Sequence, residues 1–233
     1  MGGGALMTPF LIFFLNLNPA VAVGTDLVFA AITKIGGGYQ HYRQKTLRLR
    51  PIFWMALGSL PASYLGARYI ISQAGNQQAR HRLLLMLGVV LGVVGVISMM
   101  RALGWIAGKI TSKPVWPKPW ALVIIGALGG GLVGMTSIGG GTVIMALLLV
   151  FFTIPADKLI GLDVSHGAIL ALFTASTYAL SGHVDWSVTG WLLAGSLPGV
   201  WLGARAVTKI PQKYVQAILG VVLLLAGAII VFG

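Results

Sequence analysis

The chain contains no cysteine and no glutamate, and its entire acidic complement is four aspartates, Asp26, Asp157, Asp163 and Asp185, among 233 residues. The absence of cysteine excludes disulfides, thiolate metal sites and cysteine nucleophiles. Charged residues make up only 9% of the chain, against about a quarter in a soluble domain, so polar surface is too scarce to cover a water-exposed globule. The chain also has no GxxxxGK[ST] phosphate loop, which argues against an engine driven by nucleotide hydrolysis.

What is present is apolar. Hydrophobic residues account for 57% of the sequence, the mean hydropathy is +0.91, and residues 83–100 and 217–232 form long apolar runs. These features describe an all-α polytopic membrane protein. The net charge of +12 would suggest nucleic acid in a soluble protein. Here the basic residues fall mainly between apolar runs, as the positive-inside rule places them in cytoplasmic loops, and no nucleic-acid partner is expected. The apolar start followed by Ala20-Val21-Ala22 mimics a secretion signal but lacks a basic leading region.

The chain repeats itself. Trp54, Gly58, Ser59, Leu60, Pro61, Leu65, Gly66, Ala67 and Arg68 recur as Trp191, Gly195, Ser196, Leu197, Pro198, Leu202, Gly203, Ala204 and Arg205, each 137 positions later. The same offset carries Gly2-Gly3-Gly4 onto Gly139-Gly140-Gly141, Gly24 onto Gly161 and Asp26 onto Asp163. Two homologous halves follow, residues 1–104 and 120–233, joined by a linker at 105–119 in which Pro114, Pro117 and Pro119 stop helix propagation. Spanning helices are expected at 19–40, 52–72 and 83–103, and at 158–181, 188–206 and 214–232. Residues 120–135 and 140–153 are shorter and separated by glycines, so they read as two arms of a hairpin dipping into the membrane.

Charge sets the orientation. The loop at 40–50 carries Arg43, Lys45, Arg48 and Arg50, whereas its repeat mate at 182–187 has one Asp and no Lys or Arg. The first is expected inside and the second outside, which inverts one half relative to the other, as in many secondary transporters. Arg80 and Arg82 fit this scheme poorly, because it leaves them outside. The first arm of the first hairpin has no counterpart in the 233 residues, and the expectation is a natural start about 20–30 residues upstream, one arm at 1.5 Å per residue.

Within apolar segments, ionisable groups are the exception and mark function. They are Asp26 and Lys34 in the first full span and Asp163 and His166 in its repeat mate. At helical spacing Asp163, His166, Thr174, Thr177 and Ser181 fall on one face, and Asp26, Thr33, Gln40 and Gln44 on the equivalent face. These seams are candidates for a polar path and for proton coupling: Asp26, Thr33, Asp163, Thr174 and Thr177. The milder reading is that each Thr bonds its own backbone and that Lys34 snorkels to the headgroups. The glycine turns add anion chemistry, since a helix opening after Gly4 or Gly141 aims unpaired N–H groups and the positive dipole end at the turn. Gly3, Gly4, Gly140 and Gly141, with Ser137, Thr142, Lys34 and His166, are the candidate substrate-binding residues. Arg68 and Arg205 read as interface anchors at helix ends.

The GGG turn, Gly24-Thr25-Asp26-Leu27, Ile138-Gly139-Gly140-Gly141, Gly161-Leu162-Asp163, His166, the run 182–186 and Ser196-Leu197-Pro198-Gly199 resemble, in order, the TauE/SafE sulfite-exporter-like permeases. The resemblance implies a multi-pass carrier in the cytoplasmic membrane for small sulfur-containing anions such as sulfite, thiosulfate or sulfonates. It implies no cofactor and no resident metal; the partners are the small anion and the lipid bilayer, and an oligomer is compatible with both. Two rivals remain at this point. One is an intramembrane metal enzyme built on Asp163, His166, His183 and Asp185, which a helix length of about 25 Å keeps apart. The other is a membrane subunit whose polar residues face a partner.

Overall fold

The structure is a computed structural model that describes residues 3–43, 49–75, 77–104, 117–138, 141, 143–152, 156–207 and 212–232. Among the described residues all regular structure is helical: α1 (Gly3–Phe14), α2 (Pro19–Arg43), α3 (Leu49–Ser72), α4 (Gln77–Ala102), α5 (Pro119–Thr136), α6 (Val143–Phe151), α7 (Ala156–Leu180), α8 (Trp186–Val207) and α9 (Gln212–Phe232). Most of the linker, residues 105–116, lies outside the described residues, as do Gly140, Thr142 and Gln44.

The 137-residue register is visible in the helix boundaries, since α2 and α7 begin and end at repeat-mated positions. The mates α2 and α7 pack against each other, and so do α4 and α9. Helix α5 lies along α3, with further contacts to α6 and α7. Two stretches, Pro119–Thr136 and Lys158–Leu180, have mean hydropathies of 1.6 and 1.5 and are long enough to cross a bilayer. The first differs from the short re-entrant arm that its sequence suggests. At 18 residues it reaches about 27 Å, close to the ~30 Å hydrocarbon core, because Pro119 starts the helix a residue early and Thr136 extends it.

The α5 helix ends where the glycine-rich stretch begins. Ser137 takes a left-handed conformation, φ 60°, and its N–H bonds back to the Val133 carbonyl at 2.8 Å. The chain leaves the helix there and resumes in α6, which gives the broken element that the glycines predict. A similar break occurs between α1 and α2, where Asn16 has φ 51°. Asn18 then caps α2, its side-chain oxygen accepting from the Ala20 N–H at 3.0 Å.

The packing of α3 on α5 rests on removed side chains. A Cβ on Gly58 would strike the backbone of Val123, one on Gly126 the backbone of Met55, one on Gly130 the backbone of Ser59 and one on Gly134 the backbone of Ser63. In lipid, where apolar burial gives little drive for helix association, such close approach supplies the attraction through dispersion and backbone contacts. Around these seams sit three apolar clusters. The first joins α2, α3, α5 and α7 through residues such as Leu27, Ile70, Val133 and Tyr178. The second joins α1, α2, α4 and α9 through Leu11, Ala22, Leu91 and Leu223. The third joins α3, α5, α6 and α7 through Met55, Leu122, Ile144 and Leu162. The polar residues lie among these clusters.

Candidate functional site

Helices α2 and α7 bring the repeat-mated aspartates to the interior. Asp26 is fully buried and Asp163 nearly so, at 9% exposure. A carboxylate in an apolar interior needs partners, and the two find different ones. Asp26 Oδ2 accepts hydrogen bonds from Thr8 Oγ1 at 2.7 Å and from Ser137 Oγ at 2.8 Å. It thereby ties α1 and the α5–α6 break to α2. Its other oxygen, Oδ1, is buried and has no hydrogen-bond partner among the described residues.

Asp163 sits at the head of α6. A Cβ built on Gly141 would lie 3.2 Å from Asp163 Oδ2, so any residue larger than glycine would crowd the carboxylate. The anion-binding helix terminus expected from the glycine turn therefore already has a carboxylate beside it, one belonging to the protein.

Lys34 supplies the positive charge. Its Nζ lies 3.0 Å from where a Cβ on Gly167 of α7 would stand, so the side chain runs toward α7. The snorkelling alternative would have sent it along α2 to the headgroups. The ammonium is within electrostatic range of Asp26, Asp163 and His166 alike. His166, 1% exposed, is held from α3: its Nε2 is 2.9 Å from Ser59 Oγ.

The structure gathers Asp26, Asp163, Lys34, His166, Ser137 and Gly141 around the α2–α7 contact. Ser137 donates to Asp26, so its hydroxyl proton is committed to a carboxylate in this conformation. Gly3 and Gly4 form the first residues of α1. Three hydroxyls of the expected seams serve their own helices. Thr174 Oγ1 donates to the Leu170 carbonyl at 2.7 Å, Thr177 Oγ1 to Phe173 at 3.3 Å and Thr33 Oγ1 to Phe29 at 2.9 Å. Thr174 is buried, Thr177 half-buried and Thr33 exposed. Thr33 therefore stands apart from the buried cluster, because the turn of α2 that carries it faces outward, with Ile32 exposed beside it.

Sequence reasoning missed Thr8, Ser59 and Ser165. Ser165 Oγ is buried without a hydrogen-bond partner among the described residues, one residue from His166. Thr8 carried a signal, being the lone hydroxyl in the apolar segment GGALMTPFLIFF. Ser59 lay inside the repeated Gly-Ser-Leu-Pro motif, where repetition pointed to packing more readily than to a histidine.

The metal-enzyme rival finds its residues dispersed. His183 bonds the Ser181 carbonyl at 2.7 Å, and Asp185 caps α8 by accepting from the Val188 N–H at 2.9 Å. Among the described residues no three side chains of metal-ligating type gather.

With that geometry in place, comparison with known proteins decides the family. Residues 1–230 match the family described as Sulfite exporter TauE/SafE. The chain belongs to the TauE/SafE family. It is 32% identical over 238 residues to the probable membrane transporter protein YjnA of Bacillus subtilis (strain 168), covering 97% of this chain and 91% of that protein. It is 23% identical over 252 residues to the probable membrane transporter protein YunE of the same strain, covering 100% of this chain and 90% of that protein. A probable membrane transporter protein of Xylella fastidiosa (strain 9a5c) is 26% identical over 209 residues, with coverages of 89% and 78%. No solved structure matches this TauE/SafE chain. Family and relatives make it a membrane transporter, consistent with its helices and apolar composition.

Proposed function

We propose that this TauE/SafE protein is a multi-pass secondary carrier in the cytoplasmic membrane that moves small sulfur-containing anions such as sulfite, thiosulfate or sulfonates, coupled to protons. Its two halves are arranged in inverted topology, and the buried cluster between α2 and α7 is the transport site. The observation that carries this reading is the placement of Asp163 Oδ2 over Gly141 at the head of α6, with Lys34 in electrostatic range.

Asp163 and a substrate anion compete for the same donors. While Asp163 is ionised, its carboxylate occupies the field of the α6 terminus and of Lys34, and a second anion is repelled. When a proton binds the Asp163 carboxylate, the negative charge is removed and the N–H groups and the ammonium become available to the anion. Release of the anion returns the cation field to Asp163 and favours loss of its proton. Anion and proton occupancy are thereby linked through one shared field. Asp26 is the second carboxylate facing Lys34, and its unpartnered Oδ1 is a second place for a proton.

The test is transport by purified protein in liposomes, screened with sulfite, thiosulfate and sulfonates under an imposed proton gradient. Saturable, gradient-dependent movement of at least one of these anions, crippled by Asp163→Asn at unchanged protein level, supports the reading. Wild-type rates in both Asp163→Asn and Asp26→Asn refute the proton role. Inactivity across the panel would favour the reading of the chain as a subunit of a larger membrane complex.

A further inference from the structure

The Asp26 carboxylate is wholly enclosed, 0% exposed, and so is Thr8 beside it. Its two oxygens are treated unequally. Oδ2 receives both hydroxyl protons, from Thr8 at 2.7 Å and from Ser137 at 2.8 Å. No N–H or O–H reaches the buried Oδ1 among the described residues. Lys34 is within electrostatic range of Asp26 but forms no ion pair with it among the described residues. A carboxylate oxygen shut away from water without a donor is costly, and the cost is met by a positive charge placed against it.

The groups that converge on Asp26 suit a hard cation. A hydroxyl that gives its proton to Oδ2 keeps two lone pairs, so Thr8 Oγ1 and Ser137 Oγ retain acceptor capacity. Ser137 also closes α5, whose last carbonyls form the negative pole of that helix. Half-helix C-termini and unwound backbone are where secondary carriers hold coupling cations. The donor set is oxygen alone, which disfavours soft transition metals. One carboxylate balances one unit of positive charge, and a divalent ion would leave a surplus in the field of Lys34. With both hydroxyls within 2.8 Å of one oxygen, the tight enclosure suits sodium better than the larger potassium. The repeat does not copy this set, because the mate of Thr8 is Met145, a thioether of the wrong softness for such an ion.

We propose that Asp26, Thr8 and Ser137 form a sodium site, one per chain, in which the ion sits against Oδ1 and fastens α1 and α2 to the break after α5. A proton and a sodium ion exclude one another at that oxygen. The inference goes beyond the transport reading, since binding of the ion requires no substrate.

The test is equilibrium binding of radioactive sodium to the purified full chain, in choline buffer free of sulfur anions, with each variant checked for monodispersity. Saturable binding of one ion per chain is expected, displaced by unlabelled sodium and far less by potassium. Affinity should fall at least tenfold in Asp26→Asn and in Thr8→Val, and stay near the parent value in Thr8→Ser, which keeps the oxygen. The Thr8 pair decides the matter even where Asp26→Asn fails to fold. A parent that binds no sodium saturably, parental affinity in Thr8→Val, or displacement by potassium as effective as by sodium would each overturn the proposal. Proton-driven anion transport by a chain that binds no sodium would sink this site and leave the transport reading intact. Sodium binding by a chain that moves no anion would do the reverse.

Discussion

Asp26 and Asp163 stand at equivalent positions of an internal repeat and meet unlike surroundings. Asp26 is clamped by two hydroxyls, from Thr8 and Ser137, whereas Asp163 lies against the bare glycine backbone at Gly141. The repeat mate of Thr8 is Met145, which leaves Asp163 without that clamp, and the mate of His166 is Phe29. The scaffold is duplicated and the site is not. Asp26 is built into the joint between α1, α2 and the α5 end, while Asp163 stands at the head of α6 beside Gly141, the place the proposed coupling uses.

The same asymmetry runs through the packing, and there it can be broken most forcefully. Gly58→Leu should prevent stable assembly or destabilise the protein by about 3 kcal/mol, the upper range for overpacking, because the new side chain meets the Val123 and Ala127 backbone. Gly195→Leu, its repeat mate, should change stability by no more than about 0.5 kcal/mol. Thermal unfolding of the two variants in detergent checks both numbers, and equal effects would erase the distinction between a sealed and an open half.

A second contrast sets Ser59 against Ser196. Ser59 faces His166, whereas Ser196 donates to the Leu193 carbonyl of its own helix at 2.9 Å. Ser59→Ala should cost about 1–3 kcal/mol by leaving a buried ring nitrogen unsatisfied, and Ser196→Ala less than about 0.5 kcal/mol. Denaturation midpoints compared with the parent protein decide it. The smallest expected effect is that of Thr33→Val. Its hydroxyl is exposed and bonded to its own helix, so anion uptake in liposomes should stay within about twofold of the parent, equal to about 0.4 kcal/mol.

Much of the fold was legible because a repeat with a constant offset acts as an internal alignment. Trp54 to Arg68 against Trp191 to Arg205 fixed the register that reappears in the boundaries of α2 and α7. The buried ionisable residues were legible for a different reason, since in an apolar segment a charge is rare enough to mark its own position. Lys34 could not be oriented from sequence. Snorkelling along α2 and reaching across to α7 use the same flexible chain, and only the bare surface at Gly167 distinguishes them. Thr33 was placed on the polar seam by helical angle alone, which cannot tell which side of a helix the neighbouring helices cover. Thr8 and Ser59 were hidden because their partners, Asp26 and His166, lie 18 and 107 residues away, contacts that no local pattern encodes.

In the proposed mechanism, Lys34, whose side chain runs from α2 toward Gly167 of α7, receives the transported anion. Its role is tested most directly by sulfite uptake into proteoliposomes carrying the parent protein, Lys34→Arg or Lys34→Met, each checked for monodispersity before reconstitution. The expected result is saturable uptake that falls at least tenfold in Lys34→Met, about 1.4 kcal/mol, and is partly retained in Lys34→Arg, where the charge persists. Uptake by Lys34→Met at the parent rate and with the parent's sulfite dependence would contradict it.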